Sequence, residues 1–240
     1  MLRSVNSARV KKLFHYFRYK TWEKYDHYGL FGEDIVSYAL NAGVVTELLY
    51  VSECGFPFEN KTKVTQEVMD HITLNKGMGV AAVCRRPEMK PPDGDLHRIL
   101  VLDRVKYRTN IGNILYLAYA FDVDMVITSE GDGINYYTGG IVRASGGALF
   151  FLPRISASIP EKLRQFREEG WYVVGTSLHN AKPISSIEKK DRMVLVVGNE
   201  QEGVSEEVLK ETDVNCRIEM KNYDSLNVVI ATGILLHHFH

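Results

Sequence analysis

The sequence has little of what marks metal-binding, disulfide-bonded or nucleotide-binding proteins. Its 240 residues include three cysteines, Cys54, Cys84 and Cys216. They form no Cys-x-x-Cys pair, and none lies near a histidine at zinc-ligand spacing. P-loop, His-Glu-x-x-His and EF-hand spacings are absent as well. We therefore expect no metal in the functional site, and we interpret the cysteines as ordinary cytosolic thiols.

Long apolar runs are also missing. No window approaches the roughly 18 uncharged apolar residues of a membrane-spanning helix, and no apolar run follows the basic start of the chain. The pattern predicts neither a membrane span nor a secretory signal, and we expect a cytoplasmic protein. The composition, 45% apolar and 25% charged, is that of a globular protein with one large domain or two smaller ones.

The chain lacks an excess of either charge, since 29 basic residues face 30 acidic ones. The first 24 residues are an exception, because they carry seven basic residues against one acid, Glu23. A local basic patch can attract a polyanion such as RNA. The alternative is a solvated helix face. The basic residues that we predict to bind RNA in this arm are Arg9, Lys11 and Lys12.

A proline-rich segment at residues 86–95 is the best candidate for a linker. It holds three of the seven prolines and a glycine, and it has no apolar period. It divides the chain into residues 1–85 and 96–240. Helix-like and strand-like patterns alternate in both parts, which predicts an α/β fold.

The apolar spacing predicts the main elements. In the first part it predicts helices over residues 7–20, 33–42 and 65–72, the last capped by Thr62 or Thr65. In the second part it predicts helices over residues 112–121, 160–169 and 225–238, and a strand over 148–151. Residues 171–175 and 193–197 are fully apolar, as in strands of a parallel sheet covered on both faces. Ligands of such sheets bind at the carboxyl ends of the strands.

Three polar segments stand out in the second part. The first is Asn110-Ile111-Gly112-Asn113, where we expect Asn110 to cap the helix that follows. In the second, at residues 196–203, an apolar strand runs into a loop rich in glycine and acids. The third, at residues 218–228, predicts a strand end, a short loop and a helix capped by Ser225 or Asp224. Asn227 would then lie inside an apolar helix, which is costly unless it is hydrogen-bonded.

In order and spacing, these segments resemble motifs 1, 2 and 3 of the TrmH family of SPOUT methyltransferases. The family pattern is N-x-G, then G-N-E-x-x-G, then I-P-M followed by S-L-N-V. The sequence has Asn110-Ile-Gly112, then Gly198-Asn-Glu-Gln-Glu-Gly203, then Ile218-Glu-Met220 followed by Ser225-Leu-Asn-Val228. Residues 142–149 are similar to a small-residue segment of the family. The first domain resembles the ribosomal-protein-like accessory domain found in many TrmH relatives.

The resemblance implies a Rossmann-like α/β domain whose C-terminal segment forms a trefoil knot, a rare exception to unknotted chains. It implies a homodimer that binds S-adenosylmethionine (AdoMet) in the knot and methylates a ribose 2′-hydroxyl of structured RNA, ribosomal or transfer. Cofactor contacts would come from Thr176, Val197, Gly198, Asn199, Ile218, Met220, Ser225 and Leu226. Catalytic roles would fall to Asn110, Glu200, Ser225 and Asn227.

One position departs from the family pattern. The family has an arginine six residues after the motif 1 asparagine, which supplies or activates the base, and Tyr116 stands there in this chain. Arg108, in the loop before the helix, is our first candidate to replace it. Arg143, also a candidate RNA contact, is the second. Two hypotheses stay open: an active 2′-O-methyltransferase, or an AdoMet- and RNA-binding protein of the same fold with little or no methyl transfer.

Overall fold

The structure is a computed structural model that describes residues 1–18, 24–223 and 225–240. The chain packs into two compact units. The first comprises Met1–Glu88 and Asn135–Phe150, and the second comprises Met89–Ile134 and Phe151–His240. The first boundary falls within the proline-rich segment at 86–95. Residues 135–150, from the second half of the sequence, pack with the first unit.

The first unit is built on a four-stranded sheet with the order β1-β4-β2-β3, in which β4 is antiparallel to both neighbours and β3 is parallel to β2. Its strands are β1 (His27–Phe31), β2 (Val45–Tyr50), β3 (Lys61–Lys63) and β4 (Val80–Arg85). Its helices are α1 (Ala8–Tyr16), α2 (Glu33–Asn41), α3 (Gln66–Thr73) and α5 (Gly139–Ala144).

Helix starts in this unit follow the capping residues. The Ser7 hydroxyl accepts the N–H of Val10 at the start of α1, and the Thr65 hydroxyl accepts the N–H of Val68 at the start of α3. The prediction of Thr65 as a cap is confirmed. The predicted end of the first helix at Lys20 lies outside the described residues.

The segment that follows α5 corrects a sequence prediction. We expected a strand over residues 148–151, but Ala148–Phe150 form a 3-10 turn. All three residues are apolar and buried. The segment therefore has no alternation of apolar and polar residues that would distinguish a turn from a strand. Two glycines just before it, Gly146 and Gly147, have φ of 57° and 82°, values that favour glycine and that a strand does not contain.

The second unit is a seven-stranded sheet with the order β7-β6-β5-β10-β8-β11-β9, and its strand pairs are parallel. Its strands are β5 (Arg98–Asp103), β6 (Met125–Ser129), β7 (Arg154–Ala157), β8 (Tyr172–Thr176), β9 (Lys182–Pro183), β10 (Met193–Gly198) and β11 (Val214–Arg217). Its helices are α4 (Arg108–Ala120), α6 (Ile159–Glu168), α7 (Glu206–Leu209) and α8 (Val228–Phe239). Every residue of β10 is buried, as its continuous apolar run predicts.

Two helices begin elsewhere than predicted. Helix α4 begins at Arg108, so Asn110 lies inside its first turn and is not its cap. Helix α8 begins at Val228, and its cap is Asn227, whose Oδ1 accepts the N–H of Val229 at 2.8 Å. The prediction that Asn227 lies within the helix, behind a Ser225 cap, is therefore wrong. Asp224, the other predicted cap, lies outside the described residues.

Within the described residues, no helix is long and apolar enough to cross a membrane. The same residues contain no group of three or more His, Cys, Asp or Glu side chains placed to hold a metal ion.

Candidate active site

A cleft of about 780 Å³ opens at the carboxyl ends of β8, β10 and β11 in the second unit. Adjacent parallel strands bring their following loops to one edge of the sheet, which is why segments far apart in sequence meet here. The first turns of α8 form part of the wall. The eight residues predicted to bind the cofactor all line the cleft: Thr176, Val197, Gly198, Asn199, Ile218, Met220, Ser225 and Leu226.

The loop after β10 folds back as a tight hairpin on one side of the cleft. The backbones of Asn199 and Gly203 exchange two hydrogen bonds, of 3.0 and 2.9 Å. The Asn199 side chain closes the turn, since its Oδ1 accepts the N–H groups of Gln201 and Glu202. A Cβ at Gly198 would lie 2.2 Å from backbone atoms of Gly203 and Val204. Gly198 is therefore required by the hairpin itself.

Two residues that the sequence analysis missed hold this hairpin against the loop after β5. Asp103 is buried, and its carboxylate accepts the N–H of Ser205 at 2.7 Å. Arg104 has a φ of 56°, and its carbonyl accepts Nδ2 of Asn199 at 2.9 Å. The Arg104 guanidinium also forms an ion pair with Glu202. A charged pair at the end of an apolar strand was the signal that could have identified them.

Glu200 connects motif 2 to motif 1. Its Oε1 accepts Nδ2 of Asn110 at 2.9 Å and the backbone N–H of Tyr107 at 3.2 Å, and its Oε2 accepts the N–H of Lys106 at 3.4 Å. A carboxylate at the first turn of α4 also interacts favourably with the helix dipole. Two predicted catalytic residues, 90 positions apart in sequence, are therefore in direct contact, and Glu200 fixes the orientation of the Asn110 side chain.

Of the other predicted catalytic residues, Ser225 and Asn227 lie before α8 and Arg108 lies on α4. Ser225 lines the cleft, while the Asn227 side chain caps α8. Arg108 is the first residue of α4 and is exposed. Tyr116 lies further along α4, 54% exposed.

The predicted RNA-binding residues of the first unit differ in their surroundings. Arg143 donates two hydrogen bonds to the carboxylate of Asp34, at 2.8 and 3.4 Å, and this lowers the pKa of Asp34. Arg9 forms an ion pair with Glu47. Lys11 and Lys12 are exposed. Two of the four cations are therefore already paired with carboxylates of their own unit.

Comparison with known proteins agrees with this architecture. Residues 97–237 match the SpoU rRNA Methylase family. The chain is 30% identical over 215 residues, 86% of each chain, to the 23S rRNA (guanosine(2553)-2′-O)-methyltransferase RlmP of Bacillus subtilis.

Solved structures agree as well. The AdoMet-bound rRNA methyltransferase from Sinorhizobium meliloti has a TM-score of 0.81 at 26% identity, covering 99% of this chain and 96% of that one. The SpoU methyltransferase AviRb from Streptomyces viridochromogenes, solved with AdoMet, has a TM-score of 0.81 at 20% identity, covering 98% and 97%. The predicted α/β fold of the SPOUT methyltransferases is thereby confirmed. The profile match, the similarity to RlmP and the shared fold lead to one conclusion: the chain belongs to the SpoU rRNA methylase family.

Proposed function

We propose that this protein transfers the methyl group of AdoMet to a ribose 2′-hydroxyl of RNA. The observation that carries the proposal is the contact between Glu200 and Asn110 beside the cleft that the motif 2 and motif 3 residues line. This contact joins motif 1 to motif 2, and the cleft brings the motif 3 residues beside them. The 2′-O-ribose specificity of RlmP and the AdoMet-bound Sinorhizobium meliloti structure support the same activity.

The cleft suits AdoMet because it combines apolar and polar walls. Val197, Ile218, Met220 and Leu226 offer apolar surface for the adenine and the methionine chain, and the hairpin beside Gly198 offers backbone polar groups. When bound, AdoMet supplies an electrophilic methyl group on a sulfonium centre. Such a transfer needs no covalent intermediate between the protein and the substrate.

The residues around the cleft have two tasks. A 2′-hydroxyl is a poor nucleophile at neutral pH, so its proton must be removed and its oxygen aligned with the methyl group. Asn110, oriented by Glu200, and Ser225 would hold the ribose. Arg108 is our candidate to assist deprotonation in place of the arginine that is absent at Tyr116. Asn227 would act through its cap on α8, which fixes the end of the motif 3 loop.

A second candidate function follows from Tyr116. A protein that binds AdoMet and RNA without transferring the methyl group would need the cleft but no arginine at this position. Tyr116→Arg distinguishes the two functions, because it would create methyl transfer in a protein that lacked it.

RlmP, which resembles 86% of this chain, is a 23S rRNA methyltransferase. Mass spectrometry of ribosomal and transfer RNA from cells that lack the protein tests the proposal. We expect the loss of one 2′-O-methylated nucleoside, restored by the wild-type protein. Unchanged ribose methylation in both ribosomal and transfer RNA would contradict the proposal.

We also propose that the protein forms a homodimer through the exposed apolar side chains of α4 and α8, two helices that pack against each other in the second unit. Ile230 is 55% exposed and Ile234 38% exposed.

The double substitution Ile230→Asp/Ile234→Asp is expected to convert the dimer to monomers, because it places two charges in the apolar contact. Sedimentation velocity measures the change. Leu74→Asp, at a leucine of the first unit that is 66% exposed, is the control. A wild-type protein that is monomeric at micromolar concentration would exclude the dimer.

The basic arm of the first unit is proposed to bind RNA through Lys11 and Lys12. Replacing both with Gln is expected to weaken RNA binding and to reduce the slope of log K against log salt by about 2, roughly one for each phosphate contact. Fluorescence anisotropy across a salt series measures the slope. Arg9→Gln should have a smaller effect, since Arg9 is paired with Glu47. Lys76→Gln/Lys182→Gln, at two exposed lysines elsewhere in the chain, is the matched control. An unchanged slope for the Lys11/Lys12 variant would mean that the arm is a solvated surface.

A further inference from the structure

We propose that the Tyr107 side chain is a stacking surface for an unpaired RNA base next to the acceptor ribose, with Lys106 contacting the adjoining phosphate. This inference rests on the proposed function, because it identifies part of the substrate at the same site. It concerns two side chains that neither the motifs nor the sequence analysis assigned.

The position of Tyr107 is fixed by its backbone. Its N–H donates to Oε1 of Glu200 at 3.2 Å, and the N–H of Lys106 donates to Oε2 of the same carboxylate. Tyr107 is also the residue from which α4 starts, three positions before Asn110. At about 1.5 Å of rise per helical residue, the two side chains lie within roughly one turn of each other. Glu200, which lines the cleft, thus holds the Tyr107 backbone and the Asn110 side chain beside each other.

The Tyr107 side chain is 55% exposed, although its ring is a large apolar surface, and Lys106 beside it is also exposed. An exposed aromatic ring beside a cation matches a nucleotide, whose base stacks on the ring and whose phosphate attracts the cation. Such stacking recognises unpaired bases, since bases within a helix already stack on their neighbours.

The other large exposed side chains of α4 lack this combination. Tyr119 contacts the ring of Phe151, with centroids 6.0 Å apart, and Tyr116 lies nine residues after Tyr107, about half a turn out of phase around the helix. Of these three tyrosines, Tyr107 is the one whose backbone N–H donates a hydrogen bond to Glu200. We therefore infer that the protein methylates a ribose in or beside a single-stranded region.

Equilibrium binding tests this inference without requiring methyl transfer. The probe is a fluorescently labelled single-stranded RNA of about 12 nucleotides and mixed sequence, compared with the same strand in a duplex, since single-strand sites span roughly this length. The full-length protein carries S-adenosylhomocysteine in every measurement. Tyr107→Leu removes the ring but keeps most of its apolar volume and the backbone N–H to Glu200. Tyr107→Phe keeps the ring.

Tyr107→Leu is expected to raise the Kd for the single strand about ten-fold, within the range for loss of one base stack, while Tyr107→Phe stays within about two-fold of wild type. The Kd for the duplex and for S-adenosylhomocysteine should not change. Equal affinity of the Leu and Phe variants, or a wild-type protein with no affinity for the single strand, overturns the inference. Methyl transfer by the wild-type protein is assayed separately: its absence alongside a Tyr107-dependent Kd would contradict the proposed catalysis and leave the stacking surface in place.

Discussion

The Gly198→Ala variant is expected to lose cofactor binding, with a rise of at least about 100-fold in the Kd for S-adenosylhomocysteine, equivalent to roughly 2.7 kcal/mol. The added Cβ would lie 2.2 Å from backbone atoms of Gly203 and Val204. Backbone atoms cannot turn aside as the end of a flexible side chain can, so the 199–203 hairpin must move. That movement breaks the wall of the cleft. Isothermal titration calorimetry measures the affinity.

Gly170→Ala is the matched control for this experiment. Gly170 has a φ of 82° and follows α6, so alanine there is strained, but a Cβ would meet no atom within 4 Å. This variant should lose stability and retain cofactor binding. A folded Gly198→Ala protein with wild-type affinity would show that the hairpin does not form the cofactor site.

Arg108→Ala is expected to lower the rate of methyl transfer about 100-fold or more, the scale of losing a positioned acid–base or charge-stabilising group. A tyrosine side chain carries no positive charge in either protonation state, so Tyr116 cannot supply the charge of the missing arginine. Arg108, at the first position of α4, is the arginine nearest in sequence to Asn110. Single-turnover kinetics with saturating cofactor separate this loss from weaker binding.

Three comparisons make the Arg108 experiment decisive. Tyr116→Phe should leave the rate unchanged, because the hydroxyl has no part in the proposed chemistry. Arg192→Ala, at the amino end of β10 and so at the opposite edge of the sheet, controls for the loss of an arginine. Arg143→Ala tests the second candidate. If Arg108→Ala and Arg143→Ala both keep full activity, no arginine has replaced the one absent at Tyr116.

Strands β8 and β10 of the second unit could be predicted from the sequence because burial on both faces leaves a continuous apolar run. The run at residues 193–197 became β10, every residue of which is buried. Once these strands are parallel neighbours, the loops after them must meet, and that is why eight residues from three strand ends and the loops after them line one cleft. The family resemblance identified these residues as cofactor contacts, and the order of the strands in the sheet explains why they lie together.

The residues at which helices α4 and α8 begin were harder to predict from the sequence. We expected Asn110 to cap α4, since asparagine before an apolar period is typical of a cap. Its side chain instead donates to Glu200, a tertiary partner 90 residues away that no local pattern indicates. Helix α8 begins at Val228, because the Asn227 side chain caps it by accepting the N–H of Val229. In α4 a polar residue was assigned as a cap that it does not form, and in α8 the capping residue was placed inside the helix.

Residues 135–150 show a second kind of limit. Their apolar residues, such as Ile141 and Leu149, are buried in the first unit, although they follow strands of the second unit in the sequence. Hydrophobic periodicity reports that a face is buried but does not report which core it enters. Strands β1 and β3 escaped prediction for a simpler reason, since each is short and carries polar or glycine residues.

The most direct test of the central claim is methyl transfer by the purified protein. Wild-type protein is incubated with AdoMet labelled in its methyl group and an unmodified 23S rRNA transcript, and the RNA is digested to nucleosides for mass spectrometry. We predict label in one 2′-O-methylated nucleoside and none in base-methylated nucleosides. Label in a base, or an unlabelled transcript after incubation with protein that binds the cofactor, would contradict the account.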